Sequence, residues 1–300
     1  MNVFVTGATG FLGTNLLKKL VLDRRINKIY ALVRNPRTAE LDRRVEYING
    51  DLASLKGMVL DGKVDAVVHL AAAIRENKEA DLYTVNVDGT RNVVEFCRKN
   101  RIDRLLFTSS VNVYLKHQGV YAKTKVLAED VVKGSGLKYC IFRVAMVYGL
   151  HDLTLSRLID FARKYHFVPV FGDGKKLEQP VYVEEAAEFL RNALFLNKSG
   201  YVVDVAGKEA YPYNEMLRLV CRVLGQKAVF IHIPVPLLVA AIGIFKKIGI
   251  RIPLNIEQIY HTDEDLSSDM SREAVEFSVV LRDMERNLRE YLLGQNTQDL

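Results

Sequence analysis

Short, almost continuously apolar runs alternate with longer segments of helical periodicity along the first half of the chain. The apolar runs, typical of strands buried on both faces, cover residues 3–5, 28–33, 45–48, 65–70, 104–108 and 139–143. Apolar residues at helical spacing mark 11–22, 82–100 and 118–133. Strands and helices that alternate in this way predict an α/β fold with a parallel, doubly wound sheet and right-handed crossovers.

The alternation ends after Gly149. From there the pattern predicts strands at 167–171 and 201–205, the second of which we expect to rejoin the sheet. It predicts helices over 154–165, 184–196, 213–224, 236–247, 255–261 and 280–292. We therefore predict two domains, a sheet domain of residues 1–150 plus 178–206 and a smaller, mostly helical domain of residues 151–177 plus 207–300.

Composition narrows the class of protein. A chain of 300 residues with 49% hydrophobic and 26% charged residues is typical of a soluble globular protein. No apolar run reaches the length of a membrane span, and the N-terminus lacks the basic region of a signal peptide. Three widely separated cysteines (Cys97, Cys140 and Cys221) match neither a disulfide set nor a zinc site, so we expect no metal and a cytoplasmic location.

Positive charge is concentrated at the N-terminal end. The first fifty residues contain nine Lys and Arg against four Asp and Glu, which accounts for five of the net charge of +6. Such a local excess suits a small anionic ligand as well as a nucleic acid. Because no nucleic-acid-binding motif accompanies it, we expect a small-molecule partner and no nucleic acid.

A glycine-rich segment, Thr6 to Gly13, follows the first predicted strand and opens the first predicted helix. In this context Gly7 allows a tight turn, Gly10 lets the backbone approach a pyrophosphate, and Gly13 lets the helix pack on the strand. The free N–H groups at the helix N-terminus favour phosphate. The motif therefore predicts a dinucleotide site, for which the candidate residues are Gly7, Thr9, Gly10, Phe11, Leu12 and Gly13.

The end of the second strand indicates which dinucleotide is bound. A carboxylate there normally holds a ribose 2′-hydroxyl, and an arginine holds a 2′-phosphate. This chain has Arg34, with Arg37 three residues later and no acid between them. The pattern favours NADP over NAD; the alternative is that Arg34 is a solvated surface charge.

Tyr121 lies eleven residues after Ser110, and Lys125 lies one helical turn after Tyr121. Residues four apart lie on one helix face, so the ammonium of Lys125 can lie near the phenol of Tyr121. A neighbouring cation lowers the pKa of a phenol, which is about 10 in isolation. The spacing occurs by chance about once in a chain of this composition, so its position after the fifth strand carries the prediction.

With these motifs the chain resembles the short-chain dehydrogenase/reductase superfamily, in its extended or atypical branch of epimerases, dehydratases and reductases. The resemblance covers nearly the whole chain and also rests on the segments Gly50 to Leu52, His69 to Ala72, Thr108 to Tyr114, Phe142 to Gly149, Phe171 to Gly174 and Pro180 to Val183. It implies an NAD(P)-dependent enzyme that moves a hydride between nicotinamide and a carbinol or carbonyl carbon. A nucleotide sugar or a small ketone is the expected substrate.

The resemblance also implies roles for individual residues. Tyr121 would be the general acid/base, Lys125 would tune Tyr121 and bind the nicotinamide ribose, and Ser110 would orient the substrate oxygen. Asp51 would accept from the adenine amino group, with Leu52 beside it. The backbone around Ala71 and Ala72 would line the path of the ribose and pyrophosphate.

The chain also departs from the usual pattern of that branch. Leu115 stands where many members have glycine, Val144 stands where proline is common, and the connection from Ser110 to Tyr121 is short. The C-terminal half resembles the subgroup of the complex I 39-kDa subunit, which leaves a non-catalytic NAD(P)-binding sensor or assembly subunit as the alternative.

Residues 233–247 are the most apolar segment of the chain. They are too short to span a bilayer, and simple packing within the second domain is the leading interpretation. Peripheral contact with a membrane surface or with an apolar substrate is the alternative. A homodimer formed through the helices predicted at 82–100 and 118–133 would fit the family.

Overall fold

Strands and helices alternate along the computed structural model, which describes residues 1–35, 42–74, 78–149, 152, 162, 164–223, 225–240 and 264–296. In the first half they are β1 (Asn2–Thr6), α1 (Phe11–Leu22), β2 (Lys28–Val33), β3 (Val45–Asn49), β4 (Ala66–His69), α2 (Glu79–Tyr83), α3 (Gly89–Lys99), β5 (Arg104–Ser110), α4 (Val120–Lys133), β6 (Lys138–Val144) and β7 (Val147–Tyr148). A π-helical segment, Thr84–Asp88, joins α2 to α3, and a 3-10 turn, Val111–Tyr114, follows β5.

The second half contains shorter strands. Its elements are β8 (Phe167–Phe171), β9 (Leu177–Glu178), β10 (Val181–Tyr182), α5 (Val183–Ala193), β11 (Tyr201–Val205), β12 (Tyr211–Pro212), α6 (Tyr213–Val223), β13 (Val229–Ile233), α7 (Ser271–Glu276) and α8 (Met284–Asn296). The strand predicted at 201–205 does rejoin the central sheet, where β11 pairs in parallel with β6.

Seven of the described strands form one parallel sheet in the order β11-β6-β5-β4-β1-β2-β3. From β1 the chain proceeds to β2 and β3 on one side and then returns to the other side of β1 to form β4. This reversal creates a crevice at the carboxyl ends of β1 and β4, the place where open α/β sheets bind ligands. The predicted doubly wound, Rossmann-type fold is confirmed.

Both faces of the sheet are covered, which explains the continuous apolar runs. On β1, Val3 and Val5 belong to one buried cluster with Leu16 of α1, whereas Phe4 belongs to the opposite cluster with Phe96 of α3. Successive side chains of a strand point to opposite faces. A strand between two helical layers therefore needs an apolar residue at every position.

One strand after residue 207 was not predicted from the sequence. Residues 229–233 form β13, which pairs in parallel with β8 from Phe167 opposite Val229 to Phe171 opposite Ile233. The run Val-Phe-Ile-His-Ile is rich in β-branched and aromatic residues, which favour a strand once a partner strand is present. The partner lies some sixty residues earlier in the chain, so local periodicity could not show it.

Several other predicted elements differ at their ends or cannot be compared. The helix predicted at 82–100 is interrupted by the π-helical segment, and the one predicted at 280–292 begins at Met284. The helices predicted over 154–165, 236–247 and 255–261 lie wholly or largely outside the described residues. No described helix has both the length and the apolar character required to cross a bilayer. The three cysteines are buried and free, and the described residues contain no metal-ligand cluster.

Candidate active site

The glycine-rich turn between β1 and α1 leaves no room for side chains. Gly7 has φ +69°, and a Cβ there would lie 2.6 Å from the backbone nitrogen of Ala71. A Cβ on Gly13 would lie 2.0 Å from the carbonyl oxygen of Gly7. The first glycine therefore lets the turn pass against the chain that leaves β4, and the third lets α1 pack against the turn.

The N-terminus of α1 is open for an anion. Gly10 occupies the N-cap position, and within the described residues no side chain caps the helix. The first-turn N–H groups of Phe11, Leu12 and Gly13 thus lack the side-chain acceptor that a serine or aspartate cap would supply. The side chains of Phe11 and Leu12 pack in the core, so these two residues offer only backbone groups to a phosphate.

A cavity of about 500 Å³ extends from this turn along the carboxyl ends of β1, β2 and β4. Its volume lies within the range of small-molecule and cofactor sites. The predicted cofactor residues that line it are Gly7, Thr9, Gly10, Arg34, Asp51, Leu52, Ala71 and Ala72. Backbone without side chains at the turn, an uncapped helix N-terminus and an elongated cavity fit an NAD-type dinucleotide.

Two charged candidate residues, Arg34 and Asp51, follow neighbouring strands of the sheet. Arg34 follows β2 and is exposed, while Asp51 follows β3 and accepts a hydrogen bond at Oδ1 from the backbone N–H of Ser54, 2.9 Å away. Both side chains line the cavity. Arg37 lies outside the described residues.

Ser110 and Tyr121 lie close to each other, and Lys125 lies one turn farther along α4. Ser110 ends β5, and its hydroxyl lies close enough to the phenol of Tyr121, on the first turn of α4, to influence the pKa of that phenol. Val120, the residue before Tyr121, packs in one small cluster with Ala73 and Val85, both of which line the cavity. The start of α4 therefore lies against the cavity wall.

Lys125 is almost fully buried and bonds the end of β5. Its Nζ donates to the carbonyl oxygen of Thr108 at 2.6 Å and lies 4.4 Å from the centre of the Phe107 ring. Burial lowers the pKa of the Lys125 ammonium to about 7, because the charged form loses its hydration.

The expected lowering of the Tyr121 pKa is wrong for this structure. Burial raises the pKa of Tyr121 to about 12, and the Ser110 hydroxyl opposes that rise. The spacing places Lys125 on the helix face of Tyr121, but its ammonium bonds the Thr108 carbonyl, and burial outweighs any effect of its charge. At neutral pH Tyr121 is therefore a phenol that can donate a proton.

Sequence reasoning missed the polar group that joins α4 to the cavity wall. Asn86, buried in the π-helical segment, accepts at Oδ1 from the N–H of Ala73 at 2.8 Å. Its Nδ2 donates to the carbonyl of Ala73 at 2.8 Å and to the Thr124 hydroxyl at 2.9 Å. A polar residue inside the apolar helical stripe was the available signal. Other missed residues of the wall are Thr84, Val85, Asp88, Gly89 and Asn92.

His69 at the end of β4 is a packed, buried residue. Its Nδ1 lies 2.7 Å from the Thr6 hydroxyl, and its Nε2 lies 3.1 Å from the Thr90 hydroxyl. Burial, together with the positive charge of Lys125, lowers the pKa of His69 to about 3. The imidazole is therefore neutral and ties β1 and β4 to α3.

Comparison with known proteins places this architecture in a family. The model of the NAD-dependent epimerase/dehydratase family matches residues 3–206. A ceramide reductase of Caulobacter vibrioides is 28% identical over 238 residues, which are 78% of this chain and 74% of that protein. The N-acetyl-alpha-D-glucosaminyl-diphospho-ditrans,octacis-undecaprenol 4-epimerase of Escherichia coli O157:H7 is 28% identical over 266 residues, 79% of this chain and 76% of that protein.

Solved structures show the same fold over the whole chain. A UDP-glucuronic acid 4-epimerase of Bacillus cereus, in complex with UDP-glucuronic acid and NAD, superposes with a TM-score of 0.77 at 20% identity over 100% of both chains. At that identity the likeness speaks for the fold alone. The family match covers the glycine-rich turn, the cavity and the Ser110–Tyr121–Lys125 group. The protein belongs to the NAD-dependent epimerase/dehydratase family and is an enzyme of the short-chain dehydrogenase/reductase superfamily.

Proposed function

We propose that the protein is an NAD(P)-dependent epimerase, dehydratase or reductase that acts on a carbinol or carbonyl carbon of a small molecule, with a nucleotide sugar as the leading substrate class. The observation that carries the proposal is that α4, which begins against the wall of the dinucleotide cavity, holds Tyr121 beside Ser110 at the end of β5. When bound, the nicotinamide would accept and return the hydride.

Tyr121 handles the proton in this proposal. Because its pKa is raised to about 12, Tyr121 is protonated at neutral pH and donates to a carbonyl oxygen as hydride arrives at the carbon. Ser110, close to Tyr121, holds the same substrate oxygen. In the opposite direction Tyr121 takes the carbinol proton, for which its pKa must fall. A charged Lys125 that turns from Thr108 toward Tyr121 would lower that pKa.

The remaining parts of the proposal concern ligands and assembly. Gly7 to Gly13 would hold the pyrophosphate, Asp51 and Leu52 the adenine, and Arg34 a 2′-phosphate, which favours NADP over NAD. The substrate would lie between the sheet edge and the second domain, residues 151–177 plus 207–300. A cytoplasmic homodimer through α3 and α4 completes the proposal. Membrane contact through 233–247 stays a prediction, since much of that segment lies outside the described residues.

The first experiment measures the nicotinamide nucleotide that the purified protein releases on denaturation. Near-stoichiometric release means that the cofactor stays bound through each turnover, as an epimerase or dehydratase requires. A protein that is empty but binds NADPH indicates a reductase that exchanges its cofactor, or a sensor without turnover. A protein that binds neither nucleotide overturns the proposal.

One observation favours a second candidate, a nucleotide-binding subunit without turnover: the ammonium of Lys125 is bonded to the Thr108 carbonyl. Tyr121→Phe separates the two. For the enzyme we expect Tyr121→Phe to lower turnover by about a hundredfold or more, while NAD(P) affinity changes by only a few fold. Unchanged activity of Tyr121→Phe would contradict the catalytic assignment.

A further inference from the structure

A second cavity, of about 200 Å³, opens at the same edge of the sheet. Val111, Ala145 and Ala206 line it, and each is the first residue after a strand: after β5, β6 and β11 respectively. In the sheet register Ser110 is opposite Val144, and Val144 is opposite Val205, so these three strands end side by side. The cavity therefore begins one residue beyond Ser110.

The two cavities lie on either side of the reacting group. The dinucleotide cavity follows the ends of β1, β2 and β4, whereas the smaller cavity follows β5, β6 and β11. In the strand order, β5 is the member of the second set that lies next to the first set, beside β4. Ser110, at the end of β5, thus stands between the dinucleotide and the smaller cavity, where a substrate that reacts at Ser110 would extend away from the cofactor.

Hydroxyl groups and carboxylates form the polar wall of the smaller cavity. Asp204 on β11 accepts from the Tyr114 hydroxyl at Oδ1, 2.8 Å away, and from the Ser268 hydroxyl at Oδ2, 2.6 Å away. Asp265 accepts from the backbone N–H of Leu177 at 2.7 Å. Each carboxylate oxygen has a lone pair to spare for a donor on a ligand.

Arg143, a described cation beside this wall, does not neutralise it. The guanidinium of Arg143 lies 4.7 Å from the centre of the Tyr114 ring, but it forms two hydrogen bonds to Glu129, at 2.9 and 2.7 Å. The Arg143 charge is thus already balanced by Glu129. Asp204 and Asp265 therefore leave the smaller cavity with a negative potential.

We propose that the smaller cavity binds an uncharged, hydroxyl-bearing ring of the substrate and that Asp204 and Asp265 exclude substrates with a carboxylate at this position. The proposal rests on the proposed function, because it takes the substrate oxygen to lie at Ser110 and Tyr121. Asp204 is the specificity-determining residue: its carboxylate accepts from substrate hydroxyls and repels an anionic ring. A cavity of about 200 Å³ has the volume of about six or seven waters, which limits the group to one ring.

The test compares UDP-glucose with UDP-glucuronic acid, which differ in the charge of the sugar and share the nucleotide. Their affinities for the NAD-loaded protein are measured by calorimetry. We expect UDP-glucose to bind about tenfold or more tightly, since like charges at close range repel. Asp204→Asn should bring the two affinities within about threefold, mainly by improving the binding of UDP-glucuronic acid.

Asp265→Asn provides a second variant, because its amide oxygen can still accept from the N–H of Leu177. It should shift the ratio of the affinities for UDP-glucose and UDP-glucuronic acid in the same direction. Asp103→Asn is the matched control: Asp103 is an exposed carboxylate that pairs with Lys138 at the opposite end of β5, so the ratio should stay at the wild-type value. Equal wild-type affinities for the two ligands, or a ratio unchanged in Asp204→Asn, would overturn the proposal.

Free sugars distinguish failure of this proposal from failure of the proposed function. If neither UDP-sugar binds, these UDP-sugars are excluded as substrates. Saturation-transfer NMR with millimolar glucose and glucuronate then tests the cavity alone. The cavity assignment is supported if the wild-type protein contacts glucose more than glucuronate and the Asp204→Asn variant contacts both equally. No contact with either sugar, or equal contact with both, overturns it.

Discussion

The two cavities at the sheet edge are built in different ways. The dinucleotide cavity depends on backbone: Gly7 and Gly13 lack side chains because neighbouring backbone atoms would meet a Cβ at 2.9 Å or less. The smaller cavity depends on side chains that come from distant parts of the chain, since Tyr114 and Ser268 meet Asp204 across 90 and 64 residues. A cavity built from backbone suits a cofactor that a whole family shares. In a cavity built from side chains, a few substitutions can change which substrate binds.

The largest expected effect is that of a substitution in the glycine turn of the dinucleotide cavity. Gly7→Ala introduces a Cβ 2.6 Å from Ala71 at φ +69°, whereas Gly136→Ala introduces one at φ +72° with nothing within 4 Å. Gly136→Ala should lower the free energy of unfolding by about 1 kcal/mol through backbone strain alone. Gly7→Ala should lower it by about 3 kcal/mol or more and abolish NAD(P) binding. Urea unfolding measures both, and equal losses would contradict the close-approach argument.

The connection between the cavity wall and α4 is tested by two asparagines with similar hydrogen bonds. Asn86→Ala leaves the backbone N–H and carbonyl of Ala73 unpaired and removes a donor to the Thr124 hydroxyl. Asn100→Ala leaves the N–H of Leu60 and the carbonyl of Met58 unpaired. Each should lower the free energy of unfolding by about 2–3 kcal/mol. Only Asn86→Ala should also lower NAD(P) affinity and turnover, because only Asn86 positions α4. A parallel loss of activity in Asn100→Ala would remove that distinction.

The preference for NADPH over NADH depends, in our proposal, on one exposed side chain of the dinucleotide cavity, Arg34. Arg34→Asp should weaken NADPH binding about tenfold to a hundredfold more than NADH binding, since a bidentate contact with the 2′-phosphate is lost. Arg24→Asp, an exposed arginine that does not line the cavity, is the control for charge alone. Isothermal titration with each nucleotide measures the ratio, and equal weakening of both would show that Arg34 does not bind the 2′-phosphate.

The smallest effect concerns the pH dependence of stability at His69. The unfolded histidine takes up a proton near pH 6.5, but the buried one has a pKa of about 3 and stays neutral. The unfolded state therefore binds more protons between these values, and the free energy of unfolding should fall by up to about 1.4 kcal/mol per pH unit as the pH drops from 6.5. His69→Gln should flatten this slope, whereas His232→Gln, at an exposed position, should keep it. Urea unfolding at pH 7, 6 and 5 provides the comparison.

Much of the fold could be predicted from the sequence because its determinants are local. Alternating apolar runs and helical stripes predicted the strands of the parallel sheet, including the return of β11. The glycine spacing placed Gly7, Gly10 and Gly13 at the turn where the structure has them. In each case a short segment contains both the signal and its physical cause: a strand covered on two faces, or a turn without space for a Cβ.

Only the tertiary structure decided the features that depend on long-range contacts. Pairing with β8 made a strand of Val229–Ile233, and burial, rather than the nearby Lys125, set the pKa of Tyr121. The smaller cavity likewise exists because Asp204 and Ser268 meet beside Ser110. The sequence by itself determined the family architecture and the cofactor turn, since those follow from local sterics. Partner strands, solvent exclusion and the shape of the substrate side are properties of the folded chain, because they arise from residues far apart in sequence.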